Sequence, residues 1–99
     1  NKKFETLPKV YGKDVQNYIS QFYEFLKETD FDSNEIKSLK HFDTKRWDIT
    51  LKTGRLIKLP SNKKEVKKSI NKFIALSKDK KFDQFKIFDF RVKNQLIIK

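Results

Sequence analysis

RWDITLKTGRLIKLP, residues 46–60, is the stretch that decides the fold. In its first part Trp47, Ile49 and Leu51 alternate with polar side chains, which predicts a half-buried antiparallel strand. KTGR (residues 52–55) supplies a turn, and residues 56–59 return as a second strand that stops at Pro60. The stretch therefore predicts a β-hairpin.

Amphipathic helices are predicted on both sides of this hairpin. The first follows an irregular segment (residues 1–13) and begins after Asp14, a plausible N-cap. Its apolar positions share one helical face: Val15, Tyr18, Ile19, Phe22, Phe25 and Leu26. The second starts at Asn62, with Glu65 three residues later as in a capping box, and fades near Ser77. Its apolar positions are Val66, Ile70, Phe73 and Ile74.

Three further strands complete the pattern. Residues 35–42 alternate imperfectly, which predicts a short or bulged strand. Residues 79–83 form a charged loop, residues 85–92 alternate again, and a turn at 93–94 leads to a closing strand, residues 95–99. We predict one α+β domain over residues 1–99, in the order α-β-β-β-α-β-β, with two helices packed on a mostly antiparallel sheet.

Composition excludes most catalytic and metal chemistry. The chain has no cysteine and a single histidine, His41, so thiol nucleophiles and multi-histidine metal sites are ruled out. Beside Phe42, His41 has no obvious partner for general-base work and is better explained as a structural residue. Asp79, Asp83 and Asp89 stand among many lysines and are expected to be ion-paired or solvated. We predict no catalytic residue, no metal and no cofactor.

The charge is strongly positive and unevenly placed. The net charge is +11, and residues 51–99 hold fifteen basic against four acidic side chains, while residues 1–50 are neutral. This asymmetry leaves open a small basic nucleic-acid-binding module, or an anionic-lipid contact by the lysine face of the second helix. Lysine outnumbers arginine 21 to 3, and arginine is the residue preferred for bidentate phosphate and base contacts. A third interpretation of the excess charge is therefore a solvated basic face with no ligand.

The last strand is the most informative surface. If it lies at a sheet edge, Gln95, Leu96, Ile97, Ile98 and Lys99 expose unpaired backbone groups beside apolar side chains, and natural proteins usually blunt such edges. Two readings stay open. The strand either accepts a partner strand or is an ordinary core strand.

Three stretches, in order, resemble one protein family. KRWDITLKTGRLIKLP (45–60) resembles the "RRWD-x-x-L-x-(N/T)-G-x-x-(V/I)-x-LP" hairpin of the bacterial cell-division family FtsQ, called DivIB in Gram-positive bacteria. LPKVYG (7–12) resembles its "LP-x-(V/I)-x-G" motif. FDFRVKNQLIIK (88–99) resembles its "(I/V)DLR-x-(P/D)-(D/N)-R-(V/L)-x-(V/I)-(R/K)" ending. The resemblance covers essentially the whole chain.

The resemblance implies a non-catalytic scaffold domain. Such a domain would lie on the periplasmic, extracytoplasmic side of the inner membrane at the division septum, anchored by a single transmembrane helix outside this chain, and this fragment would be monomeric. Its implied partners are FtsB and FtsL. FtsB would add a strand to residues 95–99, with Arg91 as an ion-pairing anchor and Arg46 as a second, weaker one.

Two features of the sequence bear on these implied partner-binding residues. The better-known members carry aromatic residues on and after the last strand, where this sequence has Val92 and the aliphatic residues 96–98. Arg91 also has an alternative role, an ion pair with a neighbouring carboxylate of its own domain.

Overall fold

The computed structural model describes residues 8–12, 14–92 and 95–99. Eight helices and strands follow one another along the chain: β1 (Lys9–Tyr11), α1 (Ile19–Lys27), β2 (Ile36–His41), β3 (Trp47–Leu51), β4 (Leu56–Lys58), α2 (Lys63–Ser77), β5 (Ile87–Asp89) and β6 (Ile97–Ile98). The α+β class with two helices is confirmed. The predicted order is wrong at its start, because it lacks β1. The turn predicted at 93–94 lies outside the described residues.

The six strands form one sheet in the order β1-β2-β3-β4-β5-β6. The β2–β3, β3–β4 and β5–β6 pairs are antiparallel, whereas β1–β2 and β4–β5 are parallel. The sheet is therefore mixed, and the prediction of a mostly antiparallel sheet is wrong. Each parallel pair spans a helix, α1 or α2, since parallel neighbours need a long crossover connection.

One apolar row crosses the whole sheet and faces the helices. Its members are direct cross-strand neighbours: Val10, Leu39, Ile49, Ile57, Phe88 and Ile98. The Phe22 ring of α1 stacks on Trp47 at 4.5 Å, and the Phe73 ring of α2 meets Phe88 edge-on at 5.0 Å. Trp47 is two residues from Ile49 and so shares its face of the sheet. Both helices therefore cover the same face.

Local signals explain most element boundaries. The β3–β4 hairpin is confirmed, with Gly54 at a φ of 96° in its turn. The bulge predicted for residues 35–42 is confirmed as a register shift between Ile36 and Ser38. The side chain of Asn62 accepts hydrogen bonds from the backbone N–H groups of Lys64 and Glu65, so the N-cap of α2 is also confirmed.

The start of the first helix differs from the prediction. Asp14 has a left-handed backbone (φ 55°) and its side chain makes no capping hydrogen bond. A 3-10 turn, Val15–Asn17, intervenes before α1 begins at Ile19. The apolar positions from Val15 onward do not distinguish a 3-10 turn from the first turn of an α-helix, because both place side chains on similar faces over so few residues.

The last two strands are shorter than predicted, β5 covering Ile87–Asp89 and β6 Ile97–Ile98. The predicted loop at 79–83 contains a 3-10 turn, Lys80–Phe82, whose N-terminus is capped by the Asp79 carboxylate. Neither helix in the described part of the chain is long and apolar enough to cross a membrane.

Candidate functional site

Strand β6 is one edge of the sheet and pairs only with β5. Lys99 and Ile87 exchange both backbone hydrogen bonds, each at 2.9 Å. In an antiparallel pair, hydrogen-bonded residues alternate with non-hydrogen-bonded ones. Ile98 is the next residue, so its N–H and C=O point away from β5, toward the outer side of the sheet. No other strand of the described residues occupies that side.

The side chains of this edge are divided between the two faces of the sheet. Leu96 and Ile98 pack against the core on the helix side. Ile97 points to the other face, where it pairs with Asp89 and is 40% exposed. Val92, between β5 and β6, is 51% exposed. The edge thus offers exposed aliphatic side chains beside free backbone groups.

A row of alternating charges crosses the helix-free face of the sheet. It consists of Lys40, Asp48, Lys58 and Asp89, which are successive cross-strand neighbours on β2, β3, β4 and β5. Tyr11 stands at one end of this charged row and Ile97 at the other. Opposite charges directly across a strand pair stabilise a sheet. Since Asp89 pairs with Ile97 of β6, the charged row extends as far as the β6 edge.

Arg91 binds Asp89 at the edge end of the row. Its Nε donates to Asp89 Oδ1 at 2.9 Å and an Nη donates to Oδ2 at 2.7 Å, a bidentate pair, and the Arg91 backbone N–H also donates to Oδ1 at 3.0 Å. These hydrogen bonds hold the pKa of Asp89 below its ordinary value. Asp89 is 9% exposed, whereas the Arg91 side chain is 45% exposed. The intradomain pair is present, and it leaves the second Nη of Arg91 outside the fork.

Arg46 binds the other carboxylate of the row. Its Nη1 donates to Asp48 Oδ1 at 2.6 Å and to the Leu59 carbonyl at 3.3 Å, and its guanidinium lies 4.2 Å from the centre of the Phe42 ring. Both side chains of the Arg46–Asp48 pair are only 15% exposed. Arg46 therefore ties the start of β3 to the end of β4 and is much less accessible than Arg91.

The structure thus brings both predicted arginines to one face of the sheet. What the sequence analysis missed is Lys58, which stands between Asp48 and Asp89, and the continuity of the row. The alternation of residues 46–58 places Asp48 and Lys58 on one face. The register of β4 with β5, across α2, is not visible in any local pattern.

The other residues considered for chemistry lie elsewhere. Asp79 accepts a hydrogen bond from the Lys81 backbone N–H, and Asp83 lies 3.7 Å from an Nη of Arg55, so ion pairing or capping accounts for each. In the described ranges no three acidic or histidine side chains could hold a metal ion.

His41 is a core residue. It is 6% exposed and its ring stands 4.7 Å from those of both Tyr18 and Trp47. Its Nδ1 is buried and has no hydrogen-bond partner among the residues described. Within the described ranges, no hydrogen bond at Nδ1 orients the His41 ring as it would in a general base held by a partner.

Comparison with known proteins gives one family match. Residues 1–91 match the family model of the cell division protein FtsQ/DivIB, C-terminal region. No curated protein matches the chain.

Proposed function

Because this chain belongs to the FtsQ/DivIB family of cell-division proteins, we propose that it is a scaffold domain that binds FtsB and FtsL by accepting a partner strand on β6. The family is one of non-catalytic division scaffolds at the septal membrane. Its role in cell division is therefore established for this chain at the level of the family. The binding mode is the proposal.

The observation that carries the proposal is the outward-facing backbone of Ile98. An N–H and a C=O at an open edge are the groups to which an added strand binds. Ile97 supplies an exposed apolar side chain on one face, and Leu96 is half-buried on the other. An added strand would cover both and would extend the sheet to seven strands.

Charge supports a partner with acidic side chains. The two carboxylates of the charged row are already matched by Arg46 and Arg91, so Lys40 and Lys58 leave this face with an excess of two positive charges. Arg91 is an accessible cation beside β5, since its side chain is 45% exposed. A guanidinium already fixed by Asp89 loses little conformational freedom when it binds a second carboxylate. Arg91 therefore acts as a preorganised anchor, with Arg46 a weaker one.

The family also suggests where the domain works. We place it on the extracytoplasmic, periplasmic side of the inner membrane at the division septum, in a protein anchored by a transmembrane helix outside this chain. As a fragment it would be monomeric. The single domain predicted over residues 1–99 stays a prediction.

The test is a titration with a peptide from the membrane-distal end of FtsB, followed by amide NMR. Two variants of one residue form a matched pair. Ile98→Pro removes the outward N–H. It removes no β5–β6 hydrogen bond, because the N–H of Ile98 points away from β5, and proline is tolerated at such an edge position. Ile98→Ala removes the side chain and keeps that N–H.

We expect saturable shifts confined to residues 85–99. Ile98→Pro should weaken binding by about tenfold or more, since a lost donor leaves a partner carbonyl unsatisfied at a cost of about 1–3 kcal/mol. Ile98→Ala should bind more tightly than Ile98→Pro. Equal affinity of the two variants, with circular dichroism showing both folded, would exclude strand addition at this edge.

A further inference from the structure

A groove lies between α2 and the segment around β6. Its volume is about 610 Å³. Lys68 and Lys72 of α2 form one wall, and Arg91, Val92 and Leu96 form the other. Leu96 immediately precedes β6, so a strand bound along β6 has one end at the mouth of the groove. We call this feature the basic groove.

The charges of the basic groove are not balanced. Glu65 is its one acidic lining residue among those the structure describes, and it lies 4.0 Å from Lys68, whose side chain is 78% exposed. A pair that long and that exposed is worth little in water. No acidic side chain of the described residues lies within 4.0 Å of Lys72.

The lysines also repel one another within α2. Lys64, Lys68 and Lys72 are spaced four residues apart, the spacing at which like charges on a helix are destabilising. A negative ligand bound beside Lys68 and Lys72 would relieve this repulsion. Val92, 51% exposed at the same groove, adds an apolar contact that a simple inorganic anion would not use. The groove therefore fits a peptide that carries both acidic and apolar side chains.

We propose that the basic groove binds an acidic flank of the strand that is added to β6, with Lys68 and Lys72 as its cations. This rests on the proposed function, because the groove is continuous with the edge that accepts the strand. The bound segment would leave the sheet edge at Leu96 and run between Val92 and α2. Its carboxylates would meet the two lysines.

The experiment uses three peptides: the FtsB strand peptide alone, and the same peptide with four glutamates added at its N-terminal or C-terminal end. Both ends are needed because the direction of the added strand decides which flank reaches the groove. Binding is measured by calorimetry at low and high salt. The domain is used unchanged, as Lys68→Glu/Lys72→Glu, and as Lys63→Glu/Lys67→Glu.

The second double variant is the matched control. It makes the same change in net charge on the same helix, but neither Lys63 nor Lys67 lines the groove, and neither is three or four residues from Lys68 or Lys72. Circular dichroism and thermal unfolding establish that both variants are folded.

We expect one of the two extended peptides to bind about tenfold more tightly than the strand peptide at low salt, as two or three exposed ion pairs allow. The gain should disappear in Lys68→Glu/Lys72→Glu and at high salt, and most of it should persist in Lys63→Glu/Lys67→Glu. The strand peptide alone should bind all three domains with affinities within about threefold of one another, because its edge contacts do not use the lysines.

Three results would overturn the inference or what it rests on. No gain from either extension, or an equal loss in both double variants, would refute the basic groove while strand addition stands. Failure of the strand peptide to bind the unchanged domain would refute the proposed function itself.

Discussion

Gly12→Ala tests how closely the strand β1 approaches its neighbour. Gly12 directly follows β1 with a φ of +121°, and a Cβ added there would stand 2.2 Å from the carbonyl oxygen of His41. That oxygen belongs to the backbone of β2, so no side-chain rotation can relieve the clash. The methyl group fits only if β1 moves away from β2, which sacrifices the parallel pairing of Val10 with Leu39.

Gly54→Ala is the matched control. Gly54 also has a positive φ, +96°, but a Cβ there meets nothing within 4 Å. Backbone strain of about 1–3 kcal/mol applies to both substitutions. Only Gly12→Ala adds the clash and the lost pairing. We therefore expect Gly54→Ala to cost about 1–2 kcal/mol and Gly12→Ala at least about 2 kcal/mol more.

Urea unfolding followed by tryptophan fluorescence measures both costs, since Trp47 is the single tryptophan and lies in the core. Amide hydrogen exchange shows whether protection is lost first at residues 9–11 and 38–40 in Gly12→Ala. The same free energy of unfolding for the two variants, within about 0.5 kcal/mol, would refute the close approach of the two backbones.

Three further predictions concern the edge, the helix cap and the core. Arg91→Ala removes the two side-chain hydrogen bonds that most lower the pKa of Asp89, and it keeps the one from the backbone N–H. The ionised carboxylate stabilises the fold fully above about pH 4 and less as pH falls through its lowered pKa. Wild type and variant should therefore differ in urea midpoint at neutral pH and converge in acid, and a constant difference down to pH 2 would contradict the pairing. Asn62→Ala should lower the free energy of unfolding by about 1 kcal/mol because it removes the cap of α2, whereas Asn71→Ala, in the exposed middle of the same helix, should be neutral or slightly stabilising. Equal thermal midpoints of the two variants would argue against the cap. Phe88→Ala should lower the free energy of unfolding by about 3–5 kcal/mol, because the Phe88 side chain of β5 is fully buried against Phe73 of α2. A loss under about 1 kcal/mol in a denaturant titration would mean that this core is not packed as described.

Local periodicity explains which parts of the fold could be predicted. The β3–β4 hairpin was predictable because residues 46–60 contain both the alternation of a strand and the turn that reverses it. The N-cap of α2 was predictable because Asn62 and Glu65 have a characteristic spacing. Strand β1 was not, because Lys9–Tyr11 is too short to show a period of two. The two parallel pairs depend on how α1 and α2 cross the sheet, which no local pattern contains.

The candidate site was also predictable only in part. The exposed edge was predictable from the apolar run at residues 96–98, and Arg91 from its family motif. The two roles left open for Arg91 are not exclusive, since it is held by Asp89 and remains half exposed. The charged row was missed because it needs the register of Lys58 with Asp89, two residues separated by α2. The excess of positive charge did not show that Lys68 and Lys72 line one groove with Leu96, because this depends on how α2 packs beside the segment that precedes β6.

The brevity of β6 has a consequence for the lifetime of the protein. A strand of two residues, attached to the sheet along one side, belongs to the part of a fold that opens most easily. In the unbound chain it is therefore a segment that a protease can reach when it opens. A strand bound on its outer side would place β6 in the interior of the sheet and reduce that opening by mass action. Assembly would then protect each copy that finds its partner, and unassembled copies would be degraded first.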